Sequence, residues 1–538
     1  MTIHKSIGVQ DGTKGKPAIA DFAAALCCVA GFMFYKFLLS ELFEEGPIVS
    51  ACAPLLVFAS CLFFPGLSQA SVSPAMRIVC RVVAVMLGLY ALAAVITYPA
   101  GISGEADTTL AIIRFIPLVA IAAAIMSFWY PAFVIVPATV VLAKKAVGTH
   151  LFEIRISHTD YLAVVEMGII LGIAAILLGR GGRWASGKPP RTLFGCDAKA
   201  ASVIVFMIAV AAHFSNYFYS GIQKIELDGG PFFWALQNPT HVLSISAWIG
   251  GYFPLGSWPD VATFAIQSAE KTHVVLNITI LLGQLVAVLF IAKRATMIGL
   301  TLFYDLTHVI IFLVSGIFFW KWIILNLALV AAMRRLPSWV EIRSVAAVGV
   351  ATVVLAPAVF GIVWLGWYDT RALVVSETYA VTQSGDVLRV PSNFFGTISV
   401  TAAQHRFGRT EPGHFPTVTW GSTQTAADLK AARSDCAFDE DLPPRFSRTP
   451  EQVAETIQLM HLYALQREER SGQYFYDFFP HHIWSNPLLS KDFGAIAVRD
   501  IKHYVYRTRS GCVSLDETGP VFDERKVNEF IVPLSGRS

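Results

Sequence analysis

AAHFSNYFYSGIQKIELDGGPFFW, residues 211–234, is the stretch from which the rest of the chain can be read. It opens as membrane-grade apolar helix and closes in a polar turn containing Gly229 and Gly230. At about 100° per residue, His213, Tyr217, Ser220 and Lys224 fall on one helical stripe. Polar groups aligned down a membrane helix are costly unless they face a cavity or a partner. The stretch therefore predicts an integral membrane protein with an inward-facing polar stripe.

Composition agrees. Of 538 residues, 55% are hydrophobic and 15% charged, and the mean hydropathy is +0.57. Soluble chains carry about 25% charge. The polar residues are segregated: residues 1–367 read as a transmembrane domain and 368–538 as a soluble domain. A net charge of +3 without a dense basic tract speaks against a nucleic-acid partner. Lys5, Lys14 and Lys16 precede an apolar run too long for a signal-peptide core, so a retained first span is expected.

Apolar runs of membrane length recur at about 18–40, 46–66, 77–99, 108–128, 160–180, 199–222, 273–293, 296–317 and 344–366. Shorter runs at 131–146 and 318–333 bring the expected count to about nine to eleven spans. Basic loops fix the orientation. Arg180, Arg183, Lys188, Arg191 and Lys199 mark a cytoplasmic loop, as do Lys293 with Arg294 and Arg334 with Arg335. Acidic loops at 41–45 and 102–107 fall outside. Lys144, Lys145 and Arg155 conflict with this count, unless 131–146 is re-entrant or the loop is a local exception. Lys224 then sits at the outer end of its helix. The aromatic segment 225–272 is expected to form interfacial or half-inserted helices roofing a cavity. The expected fold is a polytopic all-α membrane bundle with a C-terminal extracytoplasmic α+β domain. In a bacterium the location is the inner membrane, with a cytoplasmic N-terminus and a periplasmic C-terminal domain.

In the soluble domain, alternation predicts strands at 373–381, 396–403, 417–420 and 495–507, the last a strand or hairpin. Thr449 as N-cap, Pro450 and Glu451 begin a helix that keeps apolar spacing to about Arg470. Cys436 and Cys512 are the two cysteines of this domain. In an oxidising compartment they form a candidate disulfide. Neither the cysteines nor the adjacent His481 and His482 have metal-ligand spacing, so no metal site is expected.

Several residues can carry chemistry. Lys224 near an apolar cavity is a candidate general base, or a lysine snorkelling from a helix end. His158 lies at the outer start of the next apolar span and is either a loop residue or Lys224's partner at the same membrane level. Glu166 lies within that span, as a site residue or as an ion-pair partner of Arg114. Asp305 and His308 stand one turn apart, so the carboxylate either orients the imidazole or the pair joins helices; His213 is similar. Phosphate-binding glycine loops, a nucleophile elbow and a zinc-protease motif are absent from the sequence.

Three segments in order resemble the vitamin K-dependent γ-carboxylase superfamily and its bacterial HTTM-type membrane relatives. NYFYSGIQKIELDGGPFFW is similar to the family's lysine segment, ISHTDYLAVVEMGIILGIAAIL to its upstream histidine segment, and LTHVIIFLVSGIFFWKWIIL to its later histidine segment. They match Lys224, His158 and His308 respectively, over roughly residues 150–335. The resemblance implies a helical bundle with a lumenal domain. It also implies a reduced, vitamin K-like quinone cofactor, Lys224 as the base toward it, His158 assisting, and a peptide or protein substrate at the periplasmic side. Gln223 departs from the lysine of animal enzymes, and Glu226–Gly230 replaces the Asp–Trp that often follows. Residues 370–538 and the first 150 match poorly. Two rival readings are a membrane scaffold whose periplasmic domain binds a partner through the aromatic run 474–484, and a transporter.

Overall fold

The computed structural model describes residues 16–95, 105–152, 161–179, 192–391, 394–395, 404–408, 421–434, 436, 448–472, 483–484 and 491–534. His158, Arg155, His481, His482, strand segments 396–403 and 417–420, and most of 474–484 lie outside them.

The chain enters through helices α1 (Ile19–Glu44), α2 (Pro47–Phe63), α3 (Pro74–Val95) and α4 (Glu105–Met126). After a 3-10 turn come α5 (Ile135–Phe152), α6 (Leu162–Leu178) and α7 (Ala198–Ile225). Asp21 joins two helix starts: it accepts from Ala18 N in its own first turn and from Asp197 N before α7. Asp197 in turn caps α7 through Lys199 N. Helix α7 is the buried centre of the bundle, packed by α1, α6 and later helices.

Among the described residues, five helical stretches are long and apolar enough to cross a membrane: Ile19–Glu44, Pro74–Leu92, Pro131–His150, Ala198–Ile225 and Arg294–Ser315. Six shorter apolar helices accompany them. Lys144 and Lys145, expected in a loop, lie inside α5, where Lys144 Nζ sits 5.2 Å from the Tyr90 ring centre.

Residues 225–258 form a ledge rather than a crossing: short α8 (Phe233–Gln237) and α9 (His241–Gly250), then a 3-10 turn. Helix α10 (Pro259–Leu285) begins well before the expected 273, because Pro259 and Asp260 start a helix through the polar stretch as well. Short α11 (Ala287–Phe290) leads to α12 (Arg294–Ser315), which ends on Gly316 in the left-handed region. A Cβ there would lie 2.0 Å from the Tyr252 carbonyl oxygen, so the ledge and α12 meet at a point only glycine allows. Helices α13 (Trp320–Met333) and α14 (Arg343–Leu355) complete the bundle.

The expected span 344–366 does not run its length as a helix. Past Leu355 a 3-10 turn at Ala356–Ala358 and Gly361 end it, and residues 361–367 are extended. This strap leads into β1 (Tyr368–Asp369) and β2 (Ala372–Thr382).

The soluble part is a four-stranded antiparallel sheet of order β3-β2-β5-β6, with β3 at Val387–Arg389, β5 at Ile501–Asp516 and β6 at Gly519–Pro533. The alternation read at 495–507 thus belongs to a hairpin whose first strand starts at Ile501; the residues just before it form a 3-10 turn. Short β4 (Ser422–Thr423) pairs with β1. Helix α15 spans Ala426–Ser434 and α16 Pro450–Ser471, the latter opened by a Thr449–Gln452 capping box. Val453, Ile457, Met460 and Ala464 of α16 are buried in one cluster with Tyr504, Tyr506 and Val532. A second cluster joins the sheet to the helical part: Leu373, Val375 and Val513 pack with Val242, Ile245 and Phe253 of the ledge. The ledge is therefore a platform between bundle and sheet. Cys436 and Cys512 are disulfide-bonded, with Cα atoms 6.0 Å apart.

Candidate functional site

The extended strap runs beside α6 and α7, and its backbone needs partners that a helix would supply internally. Side chains supply them at alternate residues, as an extended chain requires. Gly361 N donates to both Glu166 oxygens (2.9 and 3.1 Å), Val363 N to Asn216 Oδ1 (3.0 Å) and Leu365 N to Gln223 Oε1 (2.8 Å). On the acceptor side, Lys36 Nζ donates to Val359 O at 3.4 Å, Lys224 Nζ to Leu365 O at 2.9 Å, and Trp234 Nε1 to Trp367 O at 2.8 Å. Gly366 passes so close to Gln223 that a Cβ would lie 2.8 Å from its Cβ and carbonyl oxygen.

This ladder locates two predicted residues. Glu166 pairs with Lys36 of α1 at 2.6 Å; the side chain of Arg114, its other expected partner, lies outside the described residues. Lys224 is buried. It also donates to Ser220 O at 3.0 Å and lies 5.1 Å from the Trp234 ring centre. It does not snorkel outward. Below it Asp369 accepts from Asn238 Nδ2 at 2.8 Å and from Trp367 Nε1 at 3.3 Å. Burial pushes the Asp369 carboxyl up to about 6, against these hydrogen bonds and the charge of Lys224.

About two to three helical turns back along α7 lies a polar cluster. His213 Nε2 is 2.7 Å from Asn326 Oδ1, and Asn326 Nδ2 donates to Asp305 Oδ1 at 2.7 Å and to Tyr217 Oη at 3.2 Å. Asn326 of α13 is thus the hub joining α7 to α12. It lies in an apolar run and gave no sequence signal beyond being a lone amide. Asp305 bonds Asn326 rather than orienting His308. Tyr217 stacks on Tyr304, with ring centres 3.6 Å apart and planes 9° apart.

Beside the cluster is a cavity of about 60 Å³ between α7, α10, α12 and α13, room for about four or five waters. Tyr217, Ser220, Gln284, His308 and Trp322 line it, and Val363 and Leu365 of the strap close one wall. Three of these residues carry buried polar atoms without a hydrogen-bond partner among the described residues: His308 Nδ1, Gln284 Oε1 and Trp322 Nε1. Asp305 Oδ2 and His213 Nδ1 in the adjoining cluster are likewise unpartnered. The walls from α7 and α13 are buried. Ile280 and Gln284 of α10 and Thr307 and Ile311 of α12 are only half-buried, so the cavity approaches the outside of the bundle between these two helices.

No protein-family model, curated protein or solved structure matches this chain. The site is therefore read from its own geometry. The cavity brings together Tyr217, Ser220 and His308, with His213 and Asp305 bonded behind them. Lys224 touches it only through Ser220 and Leu365. Glu166 stands apart on the far side of α7. Among the described residues no group of three His, Cys, Asp or Glu side chains is placed to hold a metal ion. Sequence reasoning missed Asn326, Gln284, Trp322 and the strap-binding Asn216 and Gln223. Amides and indoles in apolar runs have no spacing that marks them before their partners are known.

Proposed function

We propose that this chain is a multi-pass bacterial inner-membrane protein that binds a reduced, vitamin K-like quinone in the cavity between α7, α10, α12 and α13. It uses that quinol in base chemistry of the γ-carboxylase type, on a peptide or protein presented at the periplasmic side. The shorter apolar helices add to the five long ones, giving about nine to eleven crossings with the soluble domain outside.

The observation that carries the reading is the set of unpaired polar atoms on lining residues of a cavity otherwise walled by aromatic and aliphatic side chains. Each buried orphan costs about 1–3 kcal/mol, which a ligand with matching groups returns. Gln284 Oε1 accepts only, so the ligand brings a hydroxyl; Trp322 Nε1 donates only, so it also brings an acceptor. A flat dihydroxy ring meets both demands and suits the stacked aromatics. A tail leaves between α10 and α12. In this reading Lys224 is the base at the outer end, reached past Ser220 and Leu365. Titrating a naphthohydroquinone into the protein in nanodiscs tests it. Saturable binding weakened by Gln284→Leu and Trp322→Phe is expected; binding equal in all three proteins sinks the reading.

The contacts of Lys224 support a second reading, a non-enzymatic scaffold. Its donors face two backbone carbonyls and its charge a buried Asp369, an arrangement that fastens the soluble domain to the bundle. Here quinol is irrelevant, and deleting residues 370–538 removes function through loss of a partner.

A further inference from the structure

On the other side of α7 from the quinol cavity is a second, smaller one, and nothing in the reading above uses it. It measures about 10 Å³, room for about one water, and is lined by Glu166 of α6, His213 and Asn216 of α7 and Phe360 just before the strap. Two polar groups meet there. His213 Nδ1 is buried without a partner. Its protonation follows from the hub. Asn326 Nδ2 faces the Asp305 carboxylate and so must donate, which leaves Asn326 Oδ1 as the acceptor toward His213. The ring proton of His213 is then on Nε2, and Nδ1 presents a lone pair. Across the cavity Glu166 holds Lys36 at 2.6 Å. The Lys36 side chain is 36% exposed, against 9% for Glu166, so this pair is where the polar line reaches the surface.

We propose that a water in this small cavity bridges His213 Nδ1 to Glu166, and that His213, Glu166 and Lys36 form a proton exit for the quinol site. The inference rests on the quinol reading for its proton source. Asn216 lines both cavities, and in this scheme a water beside it is the link between them. When a ligand hydroxyl ionises, its O–H bond breaks, Lys224 takes the proton as base and passes it to the cavity water, and the ligand is left as its anion. The proton crosses by water and forms an N–H bond at His213 Nδ1, giving an imidazolium. The imidazolium passes it through the bridging water to Glu166, which becomes a neutral acid. Lys36 releases a proton to solvent and takes the one on Glu166. The ion pair is restored, and one proton has left the bundle. His213 and Glu166 touch no ligand in this scheme and act as relays.

The test has two arms, both on the full chain in nanodiscs. The first needs no ligand: solid-state NMR of ¹⁵N-histidine-labelled protein, with His213 assigned by loss of its signal in His213→Gln. An unprotonated Nδ1 whose shift moves in Glu166→Gln is expected, since the bridging water then meets an amide. A protonated Nδ1, or no response to Glu166→Gln, overturns the bridge whatever the cavity binds. The second follows proton release with a pH-indicator dye after mixing with naphthohydroquinone. Glu166→Gln keeps an oxygen for Gly361 N, so binding within about twofold of the parent is expected, with release slowed about a hundredfold. Release at the parental rate in Glu166→Gln and Lys36→Met, with binding intact, overturns the exit. Absence of naphthohydroquinone binding to the parent sinks the quinol reading and the exit with it; an NMR response would still uphold the water bridge.

Discussion

Lys224 Nζ donates to the carbonyl oxygen of Leu365 at 2.9 Å, across 141 residues of sequence. One end of this contact is the last turn of the most buried helix and the other is the strap that carries the chain into the sheet. The contact gives Lys224 a mechanical task beside any chemical one, and the two are separable by substitution. Arginine keeps the donors and the charge but is not a base near neutral pH. If Lys224 is the base, Lys224→Arg retains folding and loses quinol-dependent activity. If it is only a fastener, the same variant keeps both. Lys224→Met leaves Leu365 O unpaired and is expected to lower stability by about 1–3 kcal/mol in either case, read as a drop in thermal midpoint.

Asn326 holds three helices through one amide. Asn326→Ala leaves Asp305 buried with neither oxygen paired and is expected to cost about 3–5 kcal/mol, as when a buried charge loses its partner. Asp305→Asn in that background removes the charge. The double variant is therefore expected to be more stable than Asn326→Ala alone. A double-mutant cycle by thermal melting measures the coupling; additive losses would show that Asp305 does not depend on Asn326.

The Cys436–Cys512 bond closes a loop with a sequence separation of 76, tying the end of α15 to β5 next to Ala372. Chain-entropy arguments assign such a loop about 4 kcal/mol. Native protein should show neither thiol to a membrane-impermeant reagent, and reductant should lower the melting temperature of the soluble part. Labelling of both cysteines without reductant contradicts the pairing.

Two histidines make the soluble part acid-sensitive. His405 donates to or accepts from Thr378 Oγ1 at 2.8 Å and His461 pairs with Tyr504 Oη at 2.9 Å. Burial, with Arg389 nearby, lowers His405 to about 3, and burial lowers His461 to about 4. Both are neutral in the fold while the unfolded chain takes up protons below about 6.5. Stability is therefore full above that pH and is lost as pH falls toward 4, by about 3 kcal/mol for His461. Melting temperatures between pH 7 and 4 should fall, and His461→Gln should flatten the slope.

The orientation has its own test. Single cysteines at Lys293 and at Glu517 in a cysteine-free background should label from opposite sides of spheroplasts, Glu517 from outside. The reverse pattern inverts the topology and removes the oxidising compartment from the Cys436–Cys512 argument.

The sequence alone determined that the chain carries apolar helices of membrane-crossing length and a polar C-terminal part, because hydropathy is a local sum over residues. Helix α7, the start of α16 and strand β2 follow directly from apolar runs, an N-cap threonine followed by proline, and alternation. It also marked His213, Tyr217, Lys224, Glu166, Asp305 and His308, since a polar group in an apolar run is conspicuous by cost. What each of them touches was decided only by tertiary structure. The apolar run 344–366 reads as one more helix, yet Gly361 and the residues after it lie extended, because Glu166, Asn216, Gln223 and Lys224 from other helices satisfy the backbone there. Those partners are 140 to 200 residues away, and no local pattern encodes such a meeting. The cavity beside the strap exists for the same reason: its walls come from four helices and an extended segment, and only packing brings them together.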